Sequence, residues 1–222
     1  MKKVLFAGLL GLLSFSSRAQ AAQWCDPMTG VCKFYITPSL LPPIQAQQTM
    51  VWCWAAAAQT IFEFYGHYVT QAEIVQTALG TPTPVITTGA PDALLKMLNA
   101  TYTDSKGQTF TSSTPSFIDN YPYAPGNVIN YAWPHKLLTQ ADIENDLTNE
   151  RPLFYADQTH AMAFVEMIEQ WHIQKSGWVL DPAPSIPIGF GPITAPGIPA
   201  IGLRELTPPE LQTAFMARVE VH

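Results

Sequence analysis

Apolar residues recur at helical spacing in the first third of the chain and run in short unbroken blocks in the last third. From Met50 to Tyr65, the strong helix formers Ala55 to Ala58 precede Ile61, Phe62, Phe64 and Tyr65, and Gly66 closes the element as a C′ residue. Thr70-Gln71-Ala72-Glu73 has the form of a capping box and predicts a second helix, ended by Gly80. Pro91–Leu98 predicts a third helix. Thr139-Gln140-Ala141-Asp142, followed by Ile143 and Leu147, predicts a fourth. The stretch from Thr101 to Tyr131 is rich in Thr, Ser, Asn, Pro and Tyr and predicts turns and short extended pieces.

After Glu150 the period changes. Pro152–Ala156 reads as a short strand, Ala161–Met167 as a strand buried on both faces, Gly177–Leu180 as another and Met216–Val221 as the last. The second and third of these are expected to pair as a hairpin around Gln170 to Ser176. Thr207-Pro208-Pro209-Glu210 has the Thr cap and early proline of a helix start. Helices first and strands later predict an α+β fold, with a helical half packed on an antiparallel sheet. The Pro/Gly segment from Pro182 to Gly202 carries Ile186, Ile188, Phe190, Ile193, Ile198 and Ile201. It is expected to lie along the domain, either walling a cleft or covering the back of the sheet.

The N-terminus reads differently. Met1-Lys2-Lys3, the apolar run Val4–Leu13 and Ala19-Gln20-Ala21 follow the order of a secretory signal peptide, with cleavage expected after Ala21 or Ala22. Residues 1–21 are therefore read as a leader and 22–222 as one domain, secreted or periplasmic, with no membrane insertion once the leader is removed. Only 13 % of residues are charged and the net charge is −6. That balance excludes nucleic acid as the expected partner, because phosphate neutralisation needs clustered Lys and Arg.

An exported chain with three cysteines leaves one over. Cys25 and Cys32 flank the turn-forming set Asp26-Pro27-Met28-Thr29-Gly30 and are expected to pair. Cys25–Cys53 and Cys32–Cys53 are the alternatives. With the first pairing, Cys53 is free and lies in the first turn of the Met50–Tyr65 helix, where the dipole and unpaired N–H groups favour a thiolate. A cysteine nucleophile also needs a base, a group to orient that base, and donors for the oxyanion. His160, at the mouth of a strand, is the candidate base. In the expected hairpin Asp181 falls at the same end, so it can orient the imidazole. A buried structural cysteine between Trp52 and Trp54, a structural His160 and a turn-forming Asp181 are the plainer alternatives.

Gln47, Cys53 and Trp54-Ala55-Ala56 together resemble the active-site segment of papain-like cysteine peptidases. Thr159-His160-Ala161-Met162, Val179-Leu180-Asp181-Pro182 and Glu150-Arg151-Pro152 resemble the bacterial branch, which includes double-glycine leader (bacteriocin-processing) peptidases and papain-like secreted effector proteases. The resemblance spans roughly residues 45–182. It implies a papain-like fold and a Cys53–His160–Asp181 triad, with Gln47 (or its neighbour Gln48) as oxyanion donor. It also implies a peptide or protein substrate; export adds peptidoglycan stem peptides. Papain-type enzymes carry Asn where this chain has Asp181. A non-catalytic binding module on the same shell is the rival from another class. His67, His135, His172 and His222 read as structural or surface histidines. With no Cys-x2-Cys or His-x3-His pair, glycine fingerprint or P-loop, neither a metal nor a nucleotide cofactor is implied.

Overall fold

The computed structural model describes residues 23–49, 51–82, 91–120, 136–157, 160–182, 202–211 and 215–222. The leader, most of the Pro182–Gly202 segment and His135 lie outside the described residues. The fold is mixed α+β. Four helices, α1 (Cys53–Phe64), α2 (Gln71–Leu79), α3 (Pro91–Leu98) and α4 (Gln140–Thr148), pack with a large, mostly antiparallel sheet. The large sheet has nine strands: β1 (Gln23–Asp26), β2 (Val31–Tyr35), β5 (Ser116–Asp119), β6 (Lys136–Leu137), β7 (Leu153–Ala156), β8 (Ala161–Gln170), β9 (Ile173–Asp181), β10 (Gly202–Glu205) and β11 (Phe215–Arg218). A second sheet of three strands joins β3 (Thr101–Thr103), β4 (Thr109–Ser113) and β12 (Glu220–Val221).

The four helices stand where the periodicity places them. Thr70 and Glu73 form the expected capping box, as do Thr139 and Asp142, and Gly66 and Gly80 adopt the positive φ of helix ends. The strands depart from expectation in three places. An unforeseen hairpin, β1–β2, precedes the helices and carries the Cys25–Cys32 disulfide between directly opposed residues. The β8–β9 hairpin is longer than expected and turns through two residues alone, Trp171 and His172, both at positive φ. Two-residue turns of that hand usually announce themselves with Asn or Gly, and the Trp-His pair hides this one. Glu210 folds back onto Thr207 N–H at 2.7 Å, as the expected cap requires, and Leu211 N–H reaches the Thr207 carbonyl at 3.1 Å; residues 208–211 form a turn where the described residues stop. The final stretch splits at Val219, and its two pieces join different sheets.

β8 is the axis of the sheet. One edge pairs with β9 along its length. The other pairs with β7 through its first four residues and with β2 through its last five. Phe154, Tyr155, Phe164 and Phe215 fill the core from these strands. Helix α1 lies against β7 and β8, and every residue from Cys53 to Phe62 is buried. Behind α4, the buried Asp146 carboxylate takes Arg218 Nε at 2.7 Å and Arg151 Nη2 at 2.8 Å. Glu150 accepts from Thr37 N–H and Oγ–H at 2.7 and 2.6 Å. Glu150-Arg151-Pro152 is thus the clamp that sets where β7 begins.

A formed disulfide fits an oxidising compartment. Among the described residues no helix is long and apolar enough to cross a membrane. Peptide mapping without reduction should recover Cys25 joined to Cys32, with Cys53 as the sole free thiol. Gly177, on β9, has no room for a side chain: an added Cβ would stand 2.6 Å from the buried Phe164 ring. Gly177→Ala should therefore cost about 1–3 kcal/mol by overpacking and lower the melting temperature by several degrees.

Candidate active site

Cys53 is the first residue of α1 and is 5 % exposed. Trp52 stands at the cap position, and no side chain caps the helix among the described residues. The first-turn N–H groups therefore keep their unmet donor capacity at the point where Cys53 sits.

His160 is held at the mouth of β8 by two bonds to Asp157 across the β7–β8 connection. His160 N–H donates to Asp157 Oδ1 at 2.7 Å, and Asp157 N–H to His160 carbonyl at 3.0 Å. Asp181, the last residue of β9, is paired with Gly202 of β10. Its Oδ1 lies 2.7 Å from His160 Nε2. Cys53 lies on the other side of the ring, close enough to influence the charge of His160. With Nε2 committed to Asp181, Nδ1 is the ring nitrogen left to serve Cys53. Cys53, His160 and Asp181 are thus brought together from α1, β8 and β9, separated by 107 and 21 residues of sequence.

Burial works against a charged imidazole here, but the hydrogen bond to Asp181 and the negative charge of Asp181 and Cys53 outweigh it. They raise the His160 pKa from 6.5 to about 10. For Asp181 too, burial alone would favour the neutral acid. The His160 and Arg204 contacts reverse that and hold its pKa below the usual carboxylate value.

Gln47 is carried on an irregular segment fixed almost residue by residue. Gln45 N–H donates to Thr60 Oγ1 at 3.3 Å, and Gln71 Nε2 donates to Ala46 carbonyl at 2.8 Å. Gln47 N–H donates to Pro182 carbonyl at 3.1 Å, and Gln48 N–H to Gln71 Oε1 at 2.8 Å. Gln71 also donates to Gln59 Oε1 of α1 at 2.9 Å. The buried polar residues of α1 and α2 thus anchor this segment, and Gln47 is tied to the residue that follows Asp181. Its side-chain Oε1 is buried without a hydrogen-bond partner among the described residues, whereas Gln48 is exposed.

Two functional candidates were not visible in the sequence. Arg204 of β10 donates through Nε to Asp181 Oδ2 at 2.5 Å, and Glu210 receives the other end of the guanidinium. Pairing across a Pro/Gly-rich connection carries no local signature. The only available cue was Thr207-x-x-Glu210, whose capping form we assigned to a helix. Elsewhere, Glu144, Glu169 and His172 bring ligand atoms within 4.8 Å of one another at the far end of the β8–β9 hairpin. Gln140 already donates to Glu169, and His172 is almost wholly exposed, which describes a surface ion cluster.

Comparison with family models, with curated proteins and with solved structures returns no match to this chain.

The pH dependence follows from the direction of the His160 shift. The folded protein keeps a proton on His160 that the unfolded chain releases near pH 6.5. The stability this contributes is complete below about pH 6.5 and is lost as pH rises through about 10. The difference in urea midpoint between wild type and His160→Gln should be largest in mild acid and close up toward that alkaline limit.

Proposed function

We propose that the protein is an exported cysteine peptidase of papain-like type that hydrolyses peptide bonds. One observation carries the reading: the His160 ring, tied to Asp181 at 2.7 Å, stands close enough to Cys53, at an uncapped helix start, for the two to act on one another electrostatically. The resemblance of Gln47, Cys53-Trp54-Ala55-Ala56, His160 and Asp181-Pro182 to that family supports it.

In this reading the Cys53 thiolate attacks the carbonyl carbon of the scissile bond. The electron pair moves to oxygen, and the oxyanion is met by Gln47 and by the backbone N–H of Cys53 in the uncapped first turn. The tetrahedral centre collapses as His160 gives its proton to the departing amine, leaving a thioester on Cys53. A water molecule then loses a proton to His160 and attacks the thioester. Collapse expels the Cys53 thiolate and frees the acid product, restoring the thiolate–imidazolium pair. Asp181 touches no substrate. It holds the ring so that one nitrogen always faces Cys53. Donation to the oxyanion would come from Gln47 Nε2–H, the only donor its side chain has.

Cys53→Ala and His160→Ala should each abolish turnover of casein-derived peptides or of purified peptidoglycan stem peptides while leaving the circular dichroism spectrum unchanged. Asp181→Ala should reduce turnover less. The double Cys53→Ala/His160→Ala protein should be little worse than either single variant, because the pair acts as a unit. Full activity in His160→Ala would sink the assignment of the base.

A further inference from the structure

The pair behind the triad is built more firmly than a strand tie requires. Arg204 and Glu210 are each only 17 % exposed at the side chain. The guanidinium is forked: Nε to Asp181 Oδ2, Nη1 to Glu210 Oε2 at 3.0 Å and Nη2 to Glu210 Oε1 at 2.7 Å. Nη2 also lies 3.1 Å from Met162 Sδ, on the strand that carries His160. Glu210 is fixed in turn. Its Oε2 accepts from Thr207 N–H and Oγ–H, each at 2.7 Å, and Tyr155 Oη–H of β7 donates to its carbonyl.

The result is a row of alternating charge that runs Cys53, His160, Asp181, Arg204, Glu210. A carboxylate that accepts through only one oxygen can swing about its χ2 axis. Asp181 cannot, because a planar donor with two further bonds of its own holds Oδ2. We propose that Arg204, locked in its fork by Glu210, is a positioning residue that fixes the Asp181 carboxylate against His160 and so sets the reactivity of Cys53. This rests on the reading of Cys53 as nucleophile.

The ionisable groups facing this row are Cys53 from α1, Asp157 from the β7–β8 connection, Asp181 from β9, Arg204 from β10 and Glu210 from the following turn. Lysine at 204 would keep the charge and lose the fork, since an ammonium cannot address both carboxylates in one plane. Glutamine at 210 would loosen the fork and remove the negative charge behind Arg204, so that more of the guanidinium charge bears on Asp181 and the imidazolium. Both changes weaken the hold of Asp181 on the imidazolium, so both act in the same direction.

The test reads Cys53 directly and needs no peptide substrate. The rate of alkylation by iodoacetamide, a neutral reagent, is followed against pH in wild type, Arg204→Lys and Glu210→Gln. Wild type should show two inflections, one where the thiolate appears and an alkaline one where His160 loses its proton. In each variant the alkaline inflection should move to lower pH by about half a unit or more, and the neutral-pH rate should fall by about threefold to tenfold. Arg218→Lys, a comparable change at the remote Asp146 clamp, should leave the profile in place. An unmoved profile in both variants, with only the melting temperature lowered, would reduce the pair to a strap on β10 and overturn the proposal alone. A single inflection in wild type, at the pH of a free thiol, would remove the nucleophile reading and this proposal together. Should Arg204→Lys fail to fold, Glu210→Gln, whose residue lies in a turn outside the sheet, decides.

Discussion

The burial of helix α1 on all sides is the constraint from which the rest of this structure follows. An amphipathic helix can leave its polar residues and its ends in water. One buried from Cys53 through Phe62 cannot, so its polar groups turn to partners inside the protein, although Trp54 Nε1 and Gln59 Nε2 meet none among the described residues. Thr60 and Gln59 answer by anchoring the segment that bears Gln47, through Gln45 N–H and through Gln71. The N-terminus has no side-chain cap among the described residues. It places a buried cysteine at the positive end of a helix dipole, against the mouth of the sheet's central strand. Packing thereby gives the thiol a fixed direction.

Much of this could be read from the chain because it is local. The capping boxes at Thr70 and Thr139 and the glycines at 66 and 80 mark helix ends by their own chemistry, without reference to the fold. The residues of the candidate site could be named for a different reason. Cys53 stood out by cysteine arithmetic, and His160 and Asp181 stood out because they end strands expected to pair. The non-local features stayed hidden. A type of turn normally built on Asn-Gly was made by Trp171-His172, so the β8–β9 hairpin looked shorter than it is. Gly177 read as a strand opener but is a packing requirement set by Phe164, thirteen residues earlier in sequence. Arg204 and Glu210 reach Asp181 only because β10 pairs with β9, and no periodicity announces that pairing.

Asp181 stands where papain-type enzymes carry asparagine, and Arg204 gives the carboxylate a physical reason. An amide at that position would orient a histidine without adding charge. A carboxylate adds a buried negative charge beside His160, and a low-dielectric interior requires a cation to compensate it. Arg204 supplies that cation at the far oxygen, and Glu210 holds the guanidinium from its other side. The alternation matters more than any single link. Removing one member of a buried ion pair strands the other, which is costlier than never having built the pair. Aspartate at 181 therefore commits the fold to arginine at 204, and arginine at 204 to an acceptor such as Glu210. On this view the return of the chain along β10 after the Pro/Gly segment is more than an edge strand: it delivers the cation that lets a carboxylate occupy that place in the site.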